Sequence, residues 1–325
     1  MNRRSAIAAA GAIAFACPWL ATAQPAFPSQ AIKIIIPSTP GGLSDPVVRF
    51  LGDHLQKTWG QPVVMDHRAG AGGIVGLQQL IRAAPDGHTL ALCSSGPLIM
   101  TPAMNASTPY VVTRDLAPVG SLLTFDNVLV TPLGFSPNTV AEIIALAKEK
   151  PGSVNFASAG IGASHHLSGE LFKKLAGVNI THVPYKGTAP AQSDVVAGQV
   201  QLMFANLPAA LPLIKAGKLK AIAVTGPRRS PELPAVPTMQ ESGVPGFVVV
   251  TAVALYTSAG VPQDIIQRIN AEVNRAWQTP EGKKLLATQH LTFTPGTPAD
   301  LAGWYAEENA KWTAVIKSAG IKSVD

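Results

Sequence analysis

The sequence predicts an α/β fold in two lobes, each a doubly wound sheet, joined by two crossing strands. Three observations predict it. Short β-branched runs alternate with segments of helical apolar spacing, the pattern of strand–helix–strand units around a parallel sheet. Glycine-rich loops recur between a strand and the helix that follows it. Two long apolar β-like runs, 120–130 and 247–256, break this alternation and bracket a self-contained α/β segment. The chain therefore leaves one lobe and returns to it, which is hinge geometry. The lobes are placed at 24–123 plus 254–325, discontinuous in sequence, and at 124–253. With 325 residues, 47% hydrophobic and 14% charged, the chain can build two cores.

Residues 1–23 read as a targeting segment ahead of the fold. Arg3 and Arg4 form a basic start, 6–20 is apolar, and Ala21-Thr22-Ala23 is a small-x-small cleavage site, so export to the periplasm with cleavage after Ala23 is expected. Arg3-Arg4 leaves twin-arginine export open, although its flanks fit poorly. Lipidation of Cys17 is disfavoured by Phe15. No later apolar run reaches the roughly 18 residues of a membrane span. Once Cys17 departs, Cys93 stands alone, in a strand-like run (Thr89 to Cys93) that reads as core.

The first unit organises the rest. Ile32 to Ile36 is a strand, Pro37 to Leu43 a loop containing Gly41-Gly42, and Val47, Val48, Leu51 and Leu55 a helix face. Ser44 or Asp45 is the expected N-cap, with Pro46 at the first helical position. Such a loop aims free N–H groups and the positive helix end at one point, an anion site. A second unit follows, with strand 61–65 and a loop through Gly70, Gly72 and Gly76. That spacing is one residue off the dinucleotide fingerprint and lacks its acidic partner, so it reads as a tight turn.

Inside the inserted segment, helices are expected at 140–148, 167–175, 189–197 and 209–216. Strands are expected at 154–157, 180–183, 200–204 and 219–224. The loop Ser158 to Ser164, with Gly160 and Gly162, repeats the opening theme on the second lobe. Two anion-binding loops facing each other across a cleft suit a dicarboxylate, or a carboxylate with a second polar end. Pro227 to Phe247 is a Pro-rich surface loop. Helices at 263–277 and 299–316 complete the chain, with Trp304, Tyr305 and Trp312 expected to pack against the first lobe.

Catalysis and metal binding find little support. His166 and Glu170 lie four apart, but no HExxH or Cys cluster accompanies them, so packing or hydrogen-bonding roles are expected for His165 and His166. There is no G-x-S-x-G, and no carboxylate pair stands out. The formal charge of +6 is dispersed, without a basic stripe or interleaved aromatics, which argues against nucleic acid. A secreted α/β hydrolase using Ser164 or Cys93 stays open as the alternative to a binding protein. An adhesion or structural role is a more distant third.

Taken together, ordered motifs resemble a known family. They include Ile36-Pro37 to Gly41-Gly42 with Asp45, Arg68-Ala69-Gly70-Ala71-Gly72-Gly73, Ala84-Pro85-Asp86-Gly87-His88-Thr89-Leu90 and Gly160-Ile161-Gly162 with His166-Leu167. His182-Val183-Pro184-Tyr185-Lys186-Gly187, Val236-Pro237-Thr238 and Gly243-Val244-Pro245-Gly246-Phe247 follow in order. The chain resembles the Bug receptors, TctC-like extracytoplasmic solute-binding proteins of the tripartite tricarboxylate transporter family, over nearly all of its length after the targeting segment. The resemblance implies a Venus-flytrap fold that captures a small carboxylate, without cofactor, metal or catalytic residues. It further implies a monomer that docks on integral-membrane transporter subunits or a sensor kinase. By position, Thr39, Gly41, Gly42, Ser44 and Asp45 would line one wall, with Ser94 and Ser95 below. Gly160, Gly162, Ala163, Ser164 and Tyr185 would line the other. Ala163 stands where the family commonly has Ser or Thr, Ala205 where it often has Asp, and His67-Arg68-Ala69 where Asn-Arg-Pro is usual. A less polar second wall follows, and with it a ligand with an apolar end, an aromatic or branched monocarboxylate.

Overall fold

The computed structural model describes residues 27–105 and 107–319. The expected targeting segment and its cleavage site lie outside them. In chain order the elements begin β1 (Ile32–Ile36), α1 (Ser44–Trp59), β2 (Val63–His67), α2 (Ile74–Ile81) and β3 (Thr89–Ser94). A π-turn at Gly96–Met100 runs into α3 (Thr101–Met104) and α4 (Val112–Asp115), and then comes the 17-residue β4 (Leu116–Pro132). The second lobe holds α5 (Val140–Glu149), β5 (Asn155–Ser158), α6 (Ser164–Ala176), β6 (Thr181–Pro184), α7 (Thr188–Val196), β7 (Leu202–Asn206), α8 (Leu207–Lys215) and β8 (Leu219–Val224). The chain returns through β9 (Val250–Ser258) to α9 (Gln263–Gln278), α10 (Pro280–Thr288), β10 (Thr292–Thr294) and α11 (Pro298–Ala319).

The sheet is mixed, where the alternation of elements predicted a parallel one. β1 pairs in parallel with β2 and β3, and β5 with β6 and β7. β4 and β9 pair antiparallel with each other and with their outer neighbours, β7 and β8 in one lobe and β3 in the other. The physical reason is connectivity. A chain that enters a lobe along one strand and leaves along its neighbour must run antiparallel, whereas helical crossovers within a lobe permit parallel pairing.

β4 belongs to both lobes, and its length is its function. Its first half pairs with β9 and β10 and its second half with β7 and β8. It carries a bulge where Gly120 (φ +110°) and Ser121 (φ +64°) both take positive φ. A Cβ at Gly120 would lie 2.3 Å from Asn270 Nδ2 and 2.8 Å from the Gly296 carbonyl, so this position needs glycine for space as well as conformation.

At the crossing, one side chain ties three segments. The Thr225 hydroxyl accepts the Asn127 N–H (2.9 Å) and donates to the Val249 carbonyl (2.6 Å). The Thr225 N–H donates to Asn127 O and the Val249 N–H to Thr225 O, both at 2.9 Å. Thr225 and Asn127 are fully buried. α11, by contrast, spans both lobes. Leu301, Tyr305, Trp312, Val315 and Ile316 join one apolar cluster that includes Ile99 and Met100 of the first lobe and Leu167 and Phe172 of the second. Trp312 is therefore not confined to the first lobe as expected.

Candidate functional site

A cavity of about 300 Å³ lies where the lobes face each other. Its floor is the crossing itself, Phe125 of β4 with Val249, Val250, Thr251 and Val253 of the returning strand. The first lobe contributes Ser38, Leu43 and Ser44 around the start of α1, then Ser94, Ser95 and Met100 after β3. From the second lobe come Ala159, Ala163, Ser164, His165, Thr188 and Asn206, and Trp312 of α11 completes the lining. Wider grooves exist on outer faces, such as the one of about 530 Å³ holding Lys33, Arg68 and Arg82, but that one belongs to a single lobe.

No Asp, Glu, Lys or Arg lines the interlobe cavity among the described residues. Its electrostatics come from backbone. α1, α6, α7 and α8 start at Ser44, Ser164, Thr188 and Leu207, all at or beside the lining, and none has a side-chain cap. The sequence explains why. The residues preceding α1, α6 and α7 are Leu43, Ala163 and Gly187, which have no oxygen to offer. Asn206 precedes α8, but its Oδ1 accepts the Ser164 hydroxyl (3.3 Å) instead. Of the helices that start elsewhere, α5 and α10 are capped by Thr139 and Thr279, whereas α2 and α9 have no side-chain cap. Each uncapped end carries about half a positive charge and leaves first-turn N–H groups without a side-chain acceptor. Pro46, Pro190 and Pro208 have no N–H to offer, and the Asp45 N–H already donates to Gly42 O (3.2 Å). An anion can be held here without any cation.

The site residues expected from sequence divide into three groups. Ser44, Ser94, Ser95, Ala163 and Ser164 line the cavity. Thr39, Gly41 and Gly42 sit in the exposed loop between Ser38 and Leu43. The others are engaged in building the walls. Asp45 was an expected N-cap; instead Leu43 occupies the cap position and Asp45 turns back to accept the Gly41 N–H at 2.8 Å. The positive φ of Gly41 (+93°) orients that N–H, so the carboxylate satisfies the loop from within. Ser44 likewise makes no cap, and Pro46 is the third helical residue. Gly160 and Gly162 donate their N–H groups to Ser158 Oγ (3.1 Å) and His166 Nδ1 (3.2 Å). Tyr185 donates its hydroxyl to Asp194 (2.6 Å) and packs in the second-lobe core.

The lobes also touch. A Cβ on Gly162 (φ +80°) would stand 2.7 Å from the Met104 methyl of α3, so this second-lobe loop rests on a first-lobe side chain.

Sequence reasoning missed His165, Asn206, Thr188, Thr251 and Trp312. His165 had a usable signal, its place in the first turn of a helix behind an anion-binding loop. The two adjacent histidines part company in the structure. The His166 ring stacks on His182 at 4.1 Å, and His182 Nε2 pairs with the Ser158 hydroxyl at 2.7 Å, a packed support for the glycine loop. His165 is 3% exposed, and neither ring nitrogen has a partner. Burial lowers the His165 pKa to about 4 and, with neighbouring His182 and Lys173, that of His166 to about 3. Both rings are neutral at pH 7.

The hydrolase alternative is not supported. Ser164 bonds Asn206, the Ser158–His182 pair contains a fully buried serine, and Cys93 is buried in β3 with its thiol pKa raised by desolvation. Among the described residues, no hydrogen-bonded nucleophile–base pair faces the cavity.

The profile described as "Tripartite tricarboxylate transporter family receptor" matches residues 47–321. The chain belongs to that receptor family. Among its relatives, protein BugT of Bordetella pertussis (strain Tohama I) is 38% identical over 297 residues, 91% of either chain. In three dimensions the receptor is similar to the R. palustris protein Rpa4515 solved with adipate. That match has a TM-score of 0.83 and 31% identity, and covers 92% of this chain and all of that one. It is similar also to MatC from Rhodopseudomonas palustris with bound malate (TM-score 0.81, 31% identity, 89% of this chain and all of that one). The fold is accordingly that of the two-lobed periplasmic binding proteins.

Proposed function

We propose that this receptor closes its two lobes on a small carboxylate in the periplasm and delivers it to the membrane subunits of a tripartite transporter. One observation carries the reading: four uncapped helix N-termini, one from the first lobe and three from the second, meet at a cavity without charged side chains. Carboxylates found in the two R. palustris structures support the same ligand class. The ligand sits among Ser44, Ser94, Ser95, Ala163 and Ser164, with the loop of Thr39, Gly41 and Gly42 at the mouth. Asp45, Gly160, Gly162 and Tyr185 shape the walls. The lobes divide at 24–123 plus 254–325 and 124–253, with the hinge close to the Thr225 clasp. The protein binds without chemistry and acts as a monomer, and a sensor kinase is a second kind of partner. No described helix is long and apolar enough to cross a membrane.

The test is a thermal-shift screen of protein refolded to remove any endogenous ligand, against mono-, di- and tricarboxylates. A ligand at 100 times its Kd adds about 2.7 kcal/mol of stability, a shift of several degrees. Silence across all three classes, or a ligand that is consumed, refutes the receptor reading.

A further inference from the structure

The cavity contains two buried polar side chains with unpartnered atoms, His165 and Thr251, and both belong to its lining. Neutral imidazole has one N–H donor and one acceptor. Burying both without partners is the arrangement folded proteins avoid. The ring borders the cavity with both nitrogens closed to water, so a ligand group pairs with them once the ring turns into the cavity. Around these groups the surface is apolar, with Leu43, Met100, Phe125, Val253 and Trp312. Position 163, directly before the helix that carries His165, is an alanine and adds no hydroxyl of its own.

Resting on the receptor reading above, we propose that His165 is the specificity residue of this cleft. It hydrogen-bonds an uncharged hydroxyl or carbonyl, so the ligand is a monocarboxylate with an apolar body and an uncharged polar group, rather than a dicarboxylate. The helix ends hold the one carboxylate. A second carboxylate beside His165 would face an imidazole that burial keeps neutral through the physiological range, where an uncharged hydroxyl or carbonyl is the better-matched partner. A neutral imidazole can donate to or accept from a hydroxyl, and donate to a carbonyl, without the desolvation that a buried ion pair demands. A site built for a hydroxyl also rejects the analogue that lacks it, because its polar groups are then left unpaired.

The experiment uses two matched sets of probes on the refolded protein by titration calorimetry. One is hexanoate, 6-hydroxyhexanoate and adipate, and the other butanoate, 4-hydroxybutanoate and succinate. The expected result, in at least one set, is that the hydroxy acid binds roughly 10-fold or more tightly than both companions, since one hydrogen bond at a buried polar group has about that effect. His165→Leu should bring the hydroxy acid to within about twofold of the plain acid while leaving the plain acid bound. His165→Gln, which keeps a donor and an acceptor, should restore part of the preference. If the dicarboxylate binds tightest, above all if it tightens as pH falls from 8 to 6, the imidazole is pairing as a cation and the inference is wrong. It is equally wrong if the plain acid matches the hydroxy acid, or if His165→Leu folds and keeps the ranking. These outcomes leave the receptor reading intact. Silence from all six probes with a hit elsewhere in the carboxylate screen overturns the inference alone, and silence from both removes the receptor reading as well.

Discussion

Thr225→Val keeps the shape of a fully buried side chain and removes one hydroxyl. That hydroxyl accepts the Asn127 N–H of the outgoing strand and donates to the Val249 carbonyl of the returning strand. Valine leaves both backbone groups without this partner at a site closed to water. Each unsatisfied buried group costs about 1–3 kcal/mol, so the loss for two is about 2–6 kcal/mol. With an unfolding entropy near 2.1 cal/mol/K per residue over roughly 300 folded residues, 1 kcal/mol corresponds to about 1.6 °C, and Tm should fall by about 3–10 °C. The assay is calorimetric unfolding with and without a saturating carboxylate. Because the bonds join the two crossing strands, the ligand-induced shift should change as well as the baseline. A Tm within 1 °C of the parent protein, with the ligand shift unaltered, would refute the clasp and the reasoning built on it.

Gly120→Ala should destabilise by at least about 2 kcal/mol, since the new methyl meets Asn270 Nδ2 and the Gly296 carbonyl at positive φ; chemical denaturation reads it directly. Trp312→Ala removes a fully buried indole from the cavity lining, and both a loss of about 3–5 kcal/mol and weaker carboxylate binding are expected by melting and titration calorimetry. Stability should also fall with acid. His165 titrates at about 4 folded and near 6.5 unfolded, so the unfolded state binds more protons between those values. The stability from keeping His165 neutral is therefore complete above pH 6.5 and is lost as pH drops, at up to about 1.4 kcal/mol per pH unit. Depressed His166 and His182 act in the same direction, whereas Asp126, raised to about 6 by burial, opposes them between its unfolded value and pH 6. Denaturant midpoints from pH 7.5 to 4.5 should fall, and His165→Leu should flatten the slope.

Much of the second lobe was legible because its elements are local. The strand at 219–224 coincides with β8, and the helices starting near 140 and 188 follow the apolar period to within a residue or two, as does the first-lobe helix starting at 263. What escaped was set by contacts distant in sequence. The antiparallel pairing of β4 and β9 depends on where the returning strand lands, more than a hundred residues later. β10 has three residues and exists through its pairing with Leu122 to Thr124. Asp45 has the residue type of a cap, yet the turn at Gly41 offers it an N–H four residues back. Trp312 has a core residue's profile, and only the path of α11 across both lobes brings it to the cavity. His165 and His166 are the same residue one step apart on a helix, so composition cannot separate the packed ring from the unpartnered one. Rotation about the helix axis does.

The absence of cationic side chains from the lining also explains how ligand and closure are coupled. In an open cleft, water satisfies the free N–H groups of the four uncapped helices. Closing the lobes without a ligand would strand those groups, together with His165 and Thr251, at about 1–3 kcal/mol each when none finds water. A carboxylate supplies acceptors for several donors at once, and an uncharged group on its other end can supply the imidazole. Shifting a two-state equilibrium from 1:99 to 99:1 requires about 5.5 kcal/mol of differential affinity, which two to four such groups provide. Lysine or arginine in the wall would bind anions in the open state too, because a side-chain cation keeps its charge in water. Helix ends and a neutral histidine discriminate more sharply, since they gain most from a ligand when the cleft is closed and dry. Receptor affinity should consequently depend only weakly on salt, unlike that of a cleft lined with cations, and titrations from 20 to 500 mM NaCl would expose any hidden reliance on surface charge.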